Sequence, residues 1–499
     1  MVSGSFGRTG IAGCGALVVA VFLAGCSAPP RAEQAPSLPL GWTNRPGGGD
    51  AIAYEREAEF WRRLDDGRLA TLVSRSLSGS PSVMQAVERV AAARASEDAA
   101  AAGFLPGFSV GGNTRIRRTL RGRQGIDASA FQGLGIDASS LTPPRTTGVY
   151  EAGFDTAWEL GLFGRREAVR AGAEADTAFA VAEVAAARTS LASEVGRTYA
   201  ALRAAEAREE LLLGVAASQD RLLALVRTRR TAGLASDVDV ERAAVSPDRS
   251  RATAAEATAA IRRALQRLAV LAGEGSPDFM LLSGPGAARN QPRVPRHLAG
   301  ALLGDTVPAD LLRRRPEIWR AEAAVLRAGA DAGLARADLW PRLTLGGNLT
   351  ASGTPVGASA FSPLGPLVVA GLGPNLSIPI FDWGQRRAVV DARDAGFRAA
   401  TAAYRLTILG SVEEVEVALA SAAAAARRTD LLERAVARAV GTVRLSDTLY
   451  RSGLATLLER LDADTALLSA QLELVSARED AFVSVVALHK ALGGVGPET

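Results

Sequence analysis

The chain has 499 residues, 48% hydrophobic and only 5% aromatic, and its 57 basic residues nearly balance 53 acidic ones for a net charge of +4. A chain so near neutrality, without a basic tail or interleaved basic and aromatic side chains, gives no sign of a nucleic-acid partner. His297, His489, Cys14 and Cys26 offer no metal-ligand spacing and no triad, and no glycine-rich run leads into Lys-Ser/Thr, so neither catalysis, a cofactor nor a metal site is expected.

The N-terminus reads as an export signal. Arg8 supplies positive charge, and Ile11 to Leu23 is apolar but too short to span a bilayer as a helix. It ends in Leu23-Ala24-Gly25-Cys26-Ser27, which resembles the lipobox of bacterial lipoproteins. That resemblance implies a signal peptide over 1–25 and lipidation of Cys26; the plainer alternative is an ordinary cleavage site with an incidental cysteine. Residues 26–64 are rich in Pro and Gly at their start and are expected to form a lipidated tether.

Helical patterning begins near Asp65, pauses at Gly79-Ser80-Pro81 and stops at Phe104-Leu105-Pro106-Gly107. A β-hairpin over about 104–163 follows. Its second strand alternates strictly: Tyr150, Phe154, Trp158 and Leu160 fall on one face, and Glu151, Asp155 and Glu159 on the other. Behind an export signal, the aromatic face is expected to meet lipid. After Gly164 a proline-free helix runs 165–231, roughly 100 Å at 1.5 Å per residue and too long for a compact globular domain. Gly233-Leu234-Ala235-Ser236 breaks it, and a return helix over 237–271 contains Pro247, where a kink is expected.

A Gly/Pro-rich connector, 273–306, leads to a second series: a helix, a hairpin over about 341–381, a long helix 385–450, the break Gly453-Leu454-Ala455-Thr456, a return helix 455–492 and a tail 493–499. Gly164 and Gly384, and Gly233 and Gly453, share one offset of 220 positions, which marks an internal duplication of 65–272 in 307–492. Four strands cannot close a barrel, and open edges are forbidden in lipid, so the chain is expected to assemble with copies of itself.

With its marks Leu311-Leu312-Arg313-Arg314-Arg315-Pro316-Glu317-Ile318, Ile380-Phe381-Asp382-Trp383-Gly384 and Tyr450-Arg451-Ser452-Gly453-Leu454-Ala455-Thr456, the mature chain resembles the TolC/OprM outer-membrane factor family in its lipidated, NodT-like branch. The resemblance implies a mainly α fold with a transmembrane β portion: a homotrimeric α-barrel joined to a 12-stranded β-barrel, four strands from each protomer. It implies a passive, non-enzymatic exit duct in the outer membrane, extending into the periplasm. Its partners would be outer-membrane lipid, a periplasmic adaptor and an inner-membrane RND-type transporter. A type I protein secretion duct and a lipid-anchored coiled-coil tether are the competing readings.

The family's working sites map onto the two breaks. Asp239 and Tyr450 match a carboxylate–tyrosine tie between helices, and Glu459 and Asp462 match paired acids at a periplasmic gate. On the residues alone, these acids are also what a helix N-terminus welcomes in its first turn. Gly233, Leu234, Gly453 and Leu454 match the adaptor-docking tips, although each leucine is equally suited to capping its own turn. The family's usual arginine in the second tip is absent; Ala455 holds its place, leaving Arg451 or Arg229 to substitute.

Overall fold

The computed structural model describes residues 38–39, 41–44, 60–62, 64, 66–118, 146–276, 307–353 and 367–494. The signal segment, Cys26, the loop 121–145, most of the connector and the C-terminal tail lie outside the described residues.

Two helices, α1 (Gly67–Gly79) and α2 (Pro81–Ala102), precede strands β1 (Gly107–Arg118) and β2 (Thr146–Glu159), the long helix α3 (Arg165–Thr231) and its return α4 (Asp237–Leu271). After helical turns at Pro308–Asp310 and Leu311–Arg314 come α5 (Pro316–Ala337), β3 (Arg342–Gly353), β4 (Leu367–Ser377), the long helix α6 (Gln385–Arg451) and α7 (Leu457–Ala491). The repetition is metric. α2 and α5 each have 22 residues, α3 and α6 each 67, and α4 and α7 each 35. It extends to backbone conformation. Phe163 and Trp383 both adopt left-handed φ, 57° and 56°, each followed by a left-handed glycine, Gly164 or Gly384. A bulky residue with positive φ is uncommon, so its recurrence marks a specified strand-to-helix corner. α4 runs through Pro247 as one helix, with that proline buried.

Contacts divide the chain into two compact units. One comprises the described residues of Ala93–Thr177 and Val325–Ala400 and contains the sheet, whose antiparallel order is β1-β2-β3-β4. Asp338 stitches its corner, accepting from Arg165 at 2.5 Å and pairing with Arg342 at 3.4 Å.

The other unit comprises Glu33–Ala92, Ala178–Ala324 and Thr401–Thr499 and holds the main apolar core, with Tyr199, Leu202, Ile318, Leu419 and Phe482 fully enclosed. Buried charges in it are paired. Arg203 lies 4.8 Å over the Tyr199 ring and reaches Glu206 at 2.7 Å, while Tyr199 donates its hydroxyl to Asp66. Burial, then that hydrogen bond, push the Tyr199 phenol above its ordinary pKa. Within the Leu311–Ile318 stretch, Leu311 and Ile318 enter the core, and the buried Arg315 donates to the Ser411 carbonyl at 3.1 Å and pairs with Glu414.

The expected tether over 26–64 is too long. Trp42, Phe60, Trp61 and Leu64 belong to this core. The Thr43 and Asn44 amides donate to the Glu416 carboxylate at 2.5 and 2.9 Å. Phe60 stacks on His489 at 3.8 Å, and Trp61 presses so closely on Gly196 that a Cβ there would lie 2.8 Å from its ring. Each aromatic buries on the order of 150–250 Å².

Among the described residues no helix is long and apolar enough to cross a membrane, and no cluster of side chains could hold a metal ion.

Candidate functional site

The sheet is two-faced because its register brings alternate residues of four strands together. Val110 pairs with Phe154, Phe154 with Leu349, and Leu349 with Ala370; Phe108, Thr156, Gly347 and Leu372 form the next rank. This face is uncovered: Phe108 is 68%, Val110 84% and Leu372 77% exposed. On the opposite face Asn113 pairs with Glu151 and Glu151 with Ser352; Ser109, Asp155, Asn348 and Gly371 form the parallel rank. β1 and β4 end the strand order and present unpaired backbone. Such a sheet is complete only when another sheet pairs along its edges and an apolar medium covers one face. Of the expected lipid-facing residues, Tyr150 and Phe154 are exposed on the apolar face. Trp158 is half-buried and donates its indole N–H to the Phe104 carbonyl at 2.9 Å, and Leu160 lies just past the end of β2.

The second candidate is the pair of helix tips, and both are built alike. α3 ends with the Leu234 amide donating to the Arg229 carbonyl at 2.8 Å, and α6 with the Leu454 amide donating to the Leu449 carbonyl at 2.8 Å. Gly233 and Gly453 occupy the left-handed positions, φ 77° and 78°. This closing hydrogen bond satisfies a carbonyl that the helix end would leave bare. α4 then opens on Ser236 with Asp239 in a capping box, and α7 on Thr456 with Glu459 in another.

These caps revise the expected gate. The Asp239 carboxylate accepts from the Ser236 amide at 3.0 Å and its hydroxyl at 2.8 Å. Those two bonds, the amide's first, hold its pKa below the usual carboxylate value. The expected Asp239–Tyr450 tie is not formed within the chain, because the local helix end takes the carboxylate. Tyr450 is instead buried among Leu222, Leu223, Val226, Ala243 and Leu457. The Arg229 guanidinium lies 4.4 Å over its ring and donates to the carbonyls of Tyr450 at 3.1 Å and Arg451 at 3.3 Å. Of the two arginines available to replace the one missing at Ala455, Arg229 is the one on Tyr450; Arg451 pairs with Asp447 at 2.8 Å. Glu459 and Asp462 are both exposed, and the Glu459 side chain accepts from the Thr456 amide at 2.8 Å. Leu234 and Leu454 are 75% and 77% exposed, so neither packs on its own turn.

Sequence reasoning did not anticipate Arg460. It is buried, meeting Asp447 across the turn at 3.2 Å and Asp464 one turn along α7. The Arg460–Asp464 spacing of four was a visible signal; the bond to Asp447 exists only once the hairpin has closed.

The model of a protein family described as outer membrane efflux protein matches residues 72–274 and 307–494. The chain is 28% identical over 498 residues to outer membrane protein OprJ of Pseudomonas aeruginosa, covering 97% of this chain and 95% of the other. It is 27% identical over 473 residues to nodulation protein T of Rhizobium leguminosarum bv. trifolii, covering 95% of each. Among solved structures, the outer-membrane channel OprN superposes with a TM-score of 0.77 at 28% identity, over 94% of this chain and 99% of that one.

Proposed function

Because the chain belongs to the outer membrane efflux protein family, a family of channels rather than enzymes, we propose that it works as a homotrimeric exit duct for small molecules, fed by an inner-membrane RND-type transporter through a periplasmic adaptor. The observation that carries this reading is the unfinished sheet. Four strands with two free edges and one bare apolar face make sense as one third of a closed barrel in lipid. The polar face then lines the lumen. Cys26, lipidated, adds an anchor of its own.

The tips supply the gate. Arg229 clasps the end of α6 to the end of α3, and the bond is charge-assisted on one side and half-shielded by the Tyr450 ring. Glu459 and Asp462 share one exposed face of the first turns of α7, so three copies ring the aperture with carboxylates. Leu234 and Leu454, held outward by their glycine turns, are the apolar knobs for the adaptor.

The test uses the Cys26→Ser protein, which removes lipid anchoring as a confounder. It is expected to stay with the membrane until detergent is added, to sediment as a trimer, and to conduct in planar lipid bilayers. Release as a soluble monomer would overturn the duct.

A further inference from the structure

The two repeats meet inside one chain, and that seam is a template. Up to the hairpins the second repeat lies 235 positions after the first, with α2 opening on Pro81 and α5 on Pro316; beyond them it lies 220 after, as Gly164 and Gly384 do. These offsets carry one hairpin's register onto the other without a slip: Gly107 pairs with Ala157, and their counterparts Arg342 and Ser377 pair in turn. The remaining pairing, β2 with β3, joins the first repeat to the second. Its counterpart joins β4 to β1 of another copy, and these are the two strands that end the sheet's order.

Under the same offsets Ala152 opposite Ala351 becomes Leu372 opposite Ile116, Trp158 opposite Leu345 becomes Ile378 opposite Val110, and Asp155 opposite Asn348 becomes Asn375 opposite Asn113. Apolar residues meet apolar ones and polar meet polar, whereas a slip of one residue would turn one strand over. Leu372, Ile116, Ile378 and Val110 are all exposed in the single chain. The strand-to-helix corner repeats the pattern. Phe163 stacks on Trp340 within the chain, ring centroids 5.4 Å apart. Their counterparts are Trp383, 90% exposed, and Leu105, also exposed. The charges do not carry over. Arg165, Glu159, Asp338 and Arg342 stitch the corner inside the chain. The same positions at the two free edges hold Gln385, Pro379, Gly103 and Gly107.

We propose that each seam between copies keeps the register of the seam inside the chain but not its chemistry: Trp383 lies on Leu105 of the next copy, Leu372 stands opposite Ile116 and Asn375 opposite Asn113, and apolar contact replaces the ionic stitch. This rests on the duct reading and deepens it, since a homotrimer alone fixes neither the register nor the residues that close it. Pro374, opposite Thr114 in this register, has no amide hydrogen to give, so the seam leans on its side chains.

The test is disulfide trapping of the full-length protein in membranes. Directly opposed residues on antiparallel strands have Cα atoms about 4.5–5.5 Å apart, within disulfide reach, whereas a slip of two residues adds roughly 7 Å along the strand. Asn375→Cys with Asn113→Cys is expected to give dimers and trimers on denaturing, non-reducing gels. Their yield should be at least about fivefold above that of Asn375→Cys with Gly111→Cys or with Arg115→Cys, and above either single variant. Trp383→Ala is expected to speed trimer dissociation in warm detergent by on the order of tenfold per seam; wild-type resistance would assign that ring to lipid and overturn the contact. Equal or better trapping from a slipped pair overturns the register, and no trapping in a protein that still sediments as a trimer and conducts overturns the seam; the duct stands in both cases. A wild type that forms no trimer overturns the duct, and the inference with it.

Discussion

Arg229→Gln separates the clasp seen here from the tie expected by resemblance. The change removes a cation from 4.4 Å above the Tyr450 ring and two guanidinium bonds to the carbonyls that end α6. A cation–π contact contributes about 0.5–2 kcal/mol, and a hydrogen bond from a charged donor about 1.5–3 kcal/mol when shielded. Arg229 is half-exposed, so we take about 1–2 kcal/mol per chain for the whole set. Three chains releasing together then shift the closed-to-open balance by about 3–6 kcal/mol, at least a hundredfold at about 1.4 kcal/mol per decade. Single-channel recording is expected to show long-lived openings in Arg229→Gln that the wild type lacks. Asp239→Ala is the control: it costs α4 its capping box, about 1 kcal/mol of local helix stability, and is expected to gate like the wild type. Wild-type recordings from Arg229→Gln, or openings from Asp239→Ala of the same size, would refute the assignment.

Two further expectations concern stability. Gly233→Ala and Gly453→Ala place a Cβ in open space, so only left-handed backbone strain opposes them, about 1–2 kcal/mol each; limited proteolysis at the tips should rise alike in both, and a silent variant would mean that the turn relaxes. Burial lowers the His489 pKa to about 3 from an ordinary 6.5, so the unfolded chain takes up the proton more readily than the folded one. His489 therefore leaves stability unchanged above pH 6.5 and erodes it by up to about 1.4 kcal/mol per pH unit as pH falls from there toward 3. His489→Leu is expected to flatten denaturant midpoints across that window, and an unaltered pH slope would contradict the burial argument.

Much of the architecture was open to reading because it is written twice and because its elements are extreme. A proline-free run bounded by left-handed glycines leaves few choices other than a long helix, and strict alternation through Tyr150, Phe154 and Trp158 separates two faces without any knowledge of the partner strands. The core anchors before α1 were opaque for the opposite reason. Trp42 sits in a Pro/Gly-rich stretch whose composition speaks for an extended chain, and the partners of Phe60 and Trp61, His489 and Gly196, lie far away in sequence. No local pattern announces that a ring will stack on His489. Nor does any spacing announce that Arg229 will turn onto Tyr450, since that contact depends on two hairpins closing side by side.

The duplication also supplies a way to sort the tip residues. Whatever a helix-turn-helix tip needs in order to fold, both copies need. Gly233 answers to Gly453, Ser236 to Thr456 and Asp239 to Glu459, and these pairs terminate and restart helices in the same way. A residue present in both tips is thus accounted for by local structure unless something further sets it apart, as the outward exposure of Leu234 and Leu454 does. The clasp residues are unpaired in this sense. Arg229 corresponds to Leu449, Tyr450 to Arg230, Arg460 to Val240 and Asp462 to Arg242. Folding the tip does not require them, because the other tip folds without them. They mark where the two copies diverged, and three of the four, Arg229, Tyr450 and Arg460, lie where the chain ties one element to another. A gate built from duplicated hairpins has to draw its specificity from such differences, since two identical tips would offer every partner the same surface and every helix the same hold.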